Sequence, residues 1–268
     1  MKKYPIEIRA ERRKGRSAKK KNSPDLPRQS LVQVYFPYRN MNLTYYNDKF
    51  DLNVGDLVYV EGKLEGHRGR ITHVTYSFKI KLSDFKKVIS VIDTHIQGEL
   101  SLAGSHFITF SETTLPVQKI KTWFKAPEDE EDYVCSHEEQ TEFSLLDLNS
   151  MNISPERADR GYDYYMSNKV VYLCIDRTHG YAIVEGKETY EVEFEYLDGE
   201  ISNLVCSCYC SDPCKHQFAV MLQLRETINF IKKHYKRKYQ DYFATINKNV
   251  FWNITMDIKK TGTIKVNF

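Results

Sequence analysis

No run of apolar residues in this 268-residue chain approaches the roughly 20 that a helix needs to cross a bilayer. MKKYPIEIRAERRKGRSAKKK starts with charge and no apolar segment follows, so it is not expected to act as a secretory signal. No G-x-x-x-x-G-K-[ST] phosphate loop or dinucleotide fingerprint occurs. Lys260-Thr261-Gly262 lacks the partner motifs of a serine hydrolase and reads as a turn. No transmembrane helix is expected, and the commonest nucleotide and hydrolase motifs are not found. These absences make the cytoplasm the expected compartment. There, clustered cysteines are expected to be metal ligands and not a disulfide framework.

Net charge of one sign is also nearly absent, at +3, but its distribution is uneven. Residues 1–40 hold twelve Lys/Arg against Glu7, Glu11 and Asp25. Residues 126–142 hold eight acids and no Lys or Arg, and the last forty residues turn basic again. Basic ends on a near-neutral chain point to polyanion contact, or simply to solvated tails. The expected organisation is a basic flexible arm over 1–29, a β-rich barrel-like unit over 30–125 and an acidic linker over 126–150. A zinc-finger unit over 151–240 and a β-hairpin over 241–268 complete it.

Strand patterns begin at 31–36 and continue at 57–60 and 70–74, joined by a loop with Gly62, Gly66 and Gly69. Residues 86–93 can close the set, and short strands with Gly turns point to a small barrel. Over residues 31–93 the chain resembles the N-terminal barrel of primosomal replication helicases. The residues that carry this are Gly55-Asp56-x-Val58-x-Val60, Gly69-x-Ile71 and Val88-Ile89-x-Val91-Ile92-Asp93. The resemblance implies DNA binding; a purely structural or protein-binding barrel is the alternative.

A helix is expected to start at Ser154 as N-cap with Pro155 at its first position. Strands follow at 170–175, 181–184 and 189–196. In the last, Tyr190, Val192, Phe194 and Tyr196 alternate with Glu191, Glu193 and Glu195, the mark of a half-buried strand. Asp198-Gly199 predicts a hairpin turn into a strand over 201–205. After the cysteines, Val220, Met221, Leu224, Ile228 and Ile231 share one helical face.

Between these elements lies VCSCYCSDPCKH, residues 205–216, with four of the six cysteines. Residues two apart at a strand end point to the same side, so Cys206 and Cys208 can reach one ion. Residues two apart inside a helix do not face each other. Cys214 is therefore expected at or before the helix N-terminus, with His216 in the first turn. Pro213 supports this break, since it biases Asp212 away from helical geometry. The helix N-terminus also favours a thiolate. Cys–His nucleophilic catalysis is disfavoured because metal outcompetes it at such a site. The H-x-E and P-C-x-x-C spacing of zinc deaminases is absent.

The pattern C-x-C-(x5)-C-x-H resembles the SWIM zinc finger, and the flanking GYDYYMSNKVVYLCI, YAIVEGKETYEVEFEY and FAVML extend the likeness over roughly residues 155–230. Carried over, the resemblance implies zinc on Cys206, Cys208, Cys214 and His216. Cys208 with Cys210 is the competing first pair; it leaves only three residues to cross the site, so Cys206 with Cys208 is preferred. Four ligands make a closed, structural site whose loss unfolds the chain around it.

The resulting expectation is an α+β protein: a small N-terminal β-barrel plus a zinc-stapled β-hairpin and helix. It is read as a zinc-binding, non-enzymatic nucleic-acid-binding module, with DNA as the expected partner. SWIM fingers in bacteria often precede a helicase motor, so a helicase or another protein is a further expected partner. The candidate phosphate contacts are Lys63, Arg68, Arg70, Lys215, Arg225, Lys232, Lys233, Lys236 and Arg237. The alternatives are a protein-interaction adaptor with zinc as scaffold, or a nuclease using the acids at 128–132.

Overall fold

In the strand β1 (Ser30–Phe36), Val32, Val34 and Phe36 are fully buried while Gln33 is exposed, the period-2 pattern of a half-covered sheet. β1 pairs antiparallel with β2 (Met41–Asn47) through a turn at Asn40, whose φ of 48° suits an asparagine. The computed structural model describes residues 28–79, 81, 84–127, 142–208, 210, 213–235, 241–255 and 264–267. Two sheets and four α-helices are built from them.

The first sheet adds β3 (Leu57–Val60), β4 (Gly69–Thr75) and β5 (Val88–Val91), in the order β2-β1-β4-β3-β5. This sheet is open, which corrects the barrel expected from the Gly turns. Its edge strands meet at one parallel bridge, Tyr46 with Lys87, where a barrel requires a ladder. Gly69 is required in β4, because a Cβ there would lie 2.2 Å from Val34 Cγ1.

The second sheet has nine strands. Its members are β6 (Gly98–Ala103), β7 (Phe107–Phe110), β8 (Phe143–Ser144), β9 (Val170–Asp176), β10 (His179–Glu185), β11 (Thr189–Leu197), β12 (Glu200–Cys206), β13 (Tyr242–Asn247) and β14 (Ile264–Asn267). Their order is β14-β6-β7-β13-β9-β10-β11-β12-β8. Strands from both sides of residues 126–150 thus share one sheet.

The helices are α1 (Val117–Phe124), α2 (Pro155–Met166), α3 (Lys215–Phe230) and α4 (Lys248–Thr255). Residues 248–255 are helical where a terminal hairpin was expected. Phe251, Ile254 and Thr255 lie three to four residues apart and are buried together, so the helical period wins over the β-propensity of VFWNIT. The turn expected at Lys260-Thr261-Gly262 lies outside the described residues, as do most of the basic arm and most of the acidic linker.

Alternation along β3 and β10 joins the layers. Val58 and Val60 face the core of the small sheet, whereas Leu57 and Tyr59 face a core shared with Trp123 of α1 and Phe251 of α4. Tyr181 and Ile183 look into that shared core, while Ala182 and Val184 look the other way, onto α3. No helix among the described residues is long and apolar enough to cross a membrane.

Candidate metal centre

β11 turns into β12 at Asp198 and Gly199, both with positive φ (53° and 98°), as a two-residue hairpin loop requires. β12 then ends at Cys206. On the far side, Cys214 is the N-cap of α3 with extended φ and ψ, and His216 lies in the first turn. The strand end and helix start therefore face each other as the spacing predicts. Cys210 is exposed and stands outside the group, so Cys206 and not Cys210 completes the first pair.

One donor atom from each of Cys206, Cys208, Cys214 and His216 lies within 4.8 Å of all the others. His216 Nδ1 is 3.8 Å from both Cys206 Sγ and Cys214 Sγ. A tetrahedral ion with metal–sulfur and metal–nitrogen bonds of about 2.3 and 2.1 Å has S···N edges of about 3.6 Å. The donors are thus placed to hold a metal ion. Cys214 and His216 are buried, and a thiolate placed there needs a counter-charge.

Hydrogen bonds from the Cys206 and Cys208 thiols, helped by the Gln217 N–H, hold Cys214 down to about 3. Cys206 is pushed the other way, by its hydrogen bonds to Cys208 and Cys214 and then by burial. Cys208 is shifted down as well, first by its hydrogen bond to Cys206, so the thiolate character is shared by Cys208 and by Cys214 at the helix N-terminus, where the backbone favours it.

Several supporting residues were not singled out from the sequence. Gln217 Oε1 accepts from the Cys214 N–H at 2.8 Å, while its Nε2 donates to the Leu204 carbonyl at 3.0 Å. One side chain thus ties β12 to α3. The signal was available: a Gln three residues after an N-cap is the spacing of a capping box, with Cys in the place of Ser or Thr. Ser207, between two ligands, is held to Glu191 twice. Its N–H donates to the Glu191 carbonyl, and its Oγ accepts from the Glu191 N–H, both at 2.9 Å. Glu191 in turn takes bonds from the Tyr181 hydroxyl and the Lys125 ammonium, which hold its carboxyl below the usual range against the opposing effect of burial. Tyr190 stacks on His216 with centroids 3.9 Å apart, and Tyr164 meets the ring edge-on at 5.4 Å.

The candidate phosphate contacts are dispersed. Lys215 Nζ sits 4.6 Å from the Tyr164 ring centre, beside the cluster. Arg225 is half-buried on α3, and Lys232 and Lys233 are exposed on the π-helical turn that extends it. Lys63 is exposed in a loop of the small sheet. Arg68 and Arg70 are engaged internally. Arg68 donates to the Trp123 carbonyl and pairs with Glu185 at 3.6 Å, while Arg70 donates to the carbonyls of Gly55 and Asn253. Lys236, Arg237 and the acids at 128–132 lie outside the described residues.

No family model matches the chain, and no solved structure matches it. An uncharacterized protein of Methanocaldococcus jannaschii is 32% identical to this chain over 82 residues. That match covers 31% of this chain and 34% of the archaeal protein.

Proposed function

We propose that this protein binds nucleic acid, DNA first, on a surface organised around a SWIM-type zinc centre formed by Cys206, Cys208, Cys214 and His216. The observation that carries the reading is a closed set of four donors at the N-terminus of α3, a helix that runs on into the exposed Lys232 and Lys233. Three thiolates and an imidazole are a donor set that suits zinc. Four protein ligands fill a tetrahedral ion and leave no place for substrate, so the role assigned is structural and the protein a binding module. Lys63, Lys215, Lys232 and Lys233 are the proposed phosphate contacts, joined by the basic residues of 1–27. Arg68 and Arg70 serve the fold first.

One titration tests this: metal-loaded protein against labelled single- and double-stranded DNA at two salt concentrations, with metal content measured on the same sample. One zinc per chain is expected. The four contacts at Lys63, Lys215, Lys232 and Lys233 by themselves predict an affinity loss of about 50- to 150-fold between roughly 50 and 200 mM salt, and contacts from 1–27 steepen it. A flat salt response, or no binding, overturns the nucleic-acid reading.

One observation favours a second reading, a protein-interaction adaptor with the metal as scaffold. Tyr162 and Met166 lie one turn apart on α2 and are 52% and 59% exposed. That reading predicts salt-tolerant binding to a protein and none to DNA.

A further inference from the structure

Between the loops of the small sheet and the β10–β11 turn lies a cavity of 880 Å³. Five cationic side chains line it against three carboxylates. Arg68 already neutralises one of these, Glu185, across the cavity wall. Lys169 and Lys187 are exposed, and neither has an ion-pair partner among the described residues. On the opposite wall Tyr38 stacks on His67, with centroids 5.1 Å apart and planes 18° from parallel. Tyr38 remains 64% exposed. Tyr38 and His67 line the same cavity as Lys169 and Lys187. The Arg39 guanidinium lies 5.2 Å from the Tyr38 ring, and the exposed Lys63 sits in the same loop as His67. Positive charge therefore continues past the cavity.

We infer that this cavity binds single-stranded nucleic acid, with a base on the Tyr38–His67 pair and backbone phosphates on Lys169 and Lys187. The inference rests on the nucleic-acid reading above and adds to it a strand type and a place. A flat aromatic surface beside exposed cations is what an unpaired nucleotide requires: a π-face for the base and charge for the phosphate. A duplex does not supply the first, because its bases are already stacked on one another. Arg68 ties the small-sheet loop to Glu185 of β10 and to Trp123 of α1, and Arg70 ties β4 to Asn253 of α4.

The test uses the full, metal-loaded chain and fluorescence anisotropy with labelled oligothymidylate, oligouridylate and duplex DNA, each about 15 nucleotides long to span one site. Tyr38→Ala is expected to weaken oligothymidylate binding about tenfold and duplex binding less than about twofold. Lys169→Ala with Lys187→Ala is expected to reduce the salt slope on single strands by about 1.4. The exposed positions of all three leave the fold intact, which circular dichroism checks. The oligouridylate arm tells whether the same cavity takes RNA. Unchanged single-strand binding in both variants, with a binding wild type, overturns the cavity site and leaves the broader reading standing. A wild type that binds none of the probes overturns both.

Discussion

Among the described cysteines, surroundings assign three chemistries. Cys174 is buried in β9, and burial first of all pushes its thiol up to about 11. A proton therefore stays on it across the physiological range, and it behaves as a small apolar side chain. Because its folded pKa lies above the unfolded one, the stabilisation is full below the ordinary thiol value and fades only as pH climbs towards 11. Cys206, Cys208 and Cys214 form the cluster, and Cys210 stands exposed beside it. Alkylation at pH 8, mapped by mass spectrometry, is expected to label Cys210 first among these five. A chelator is then expected to expose Cys206, Cys208 and Cys214, with Cys174 modified only on unfolding. Raising the pH to 9 leaves Cys174 protected. Modification of Cys174 alongside Cys210 would contradict this assignment.

At the scale of elements, the centre is held by a helix crossing as much as by its ligands. α2 lies against the N-terminal part of α3, and Gly161 is the point of approach. A Cβ there would stand 2.9 Å from the Lys215 carbonyl oxygen and 2.9 Å from a Phe218 ring carbon. Backbone cannot yield as a long side chain does. Gly161→Ala is therefore expected to push α2 away and destabilise the protein by about 1–3 kcal/mol, despite the higher helix propensity of Ala. Urea denaturation with the metal-loaded protein measures it, and a variant as stable as wild type would show that α2 is free to shift. The Cys206-to-His216 frame was legible from the sequence because it follows from local rules. Strict alternation announced β11, Asp198-Gly199 announced its turn, and a two-residue ligand spacing forced Cys214 out of the helix. β2 was missed because MNLTYYN exposes its first four residues and shows no clean alternation. α4 was missed because its buried Phe251, Ile254 and Thr255 sit among residues that favour strands.

What no local pattern contains is the pairing of distant segments. β13 lies between β7 and β9, and β14 runs parallel to β6, so the sheet collects strands from far apart in sequence. The sequence splits the chain at its acidic stretch by composition, yet a single core cluster spans β3, β6, β7, β9, β10, β13, α1 and α4. Trp123 sits at the heart of that cluster with no exposed surface. Its indole N–H donates to the Asp93 carbonyl at 2.9 Å, and its own carbonyl accepts from Arg68 of the small sheet. A residue that packs on one sheet and hydrogen-bonds to the other couples their unfolding. Trp123→Ala is expected to cost about 3–5 kcal/mol, through the cavity it leaves and the Asp93 carbonyl that loses its indole donor. In the wild type, denaturant unfolding followed by tryptophan fluorescence and by far-ultraviolet circular dichroism is expected to give coincident midpoints. Fluorescence reports Trp123 and the half-exposed Trp252, while circular dichroism reports both sheets and all the helices. Separate midpoints would mean that the small sheet melts alone and that the shared core does not bind the two together. Coincident midpoints would also mean that the two sheets that line the cavity unfold as one unit, so that neither wall is lost before the other.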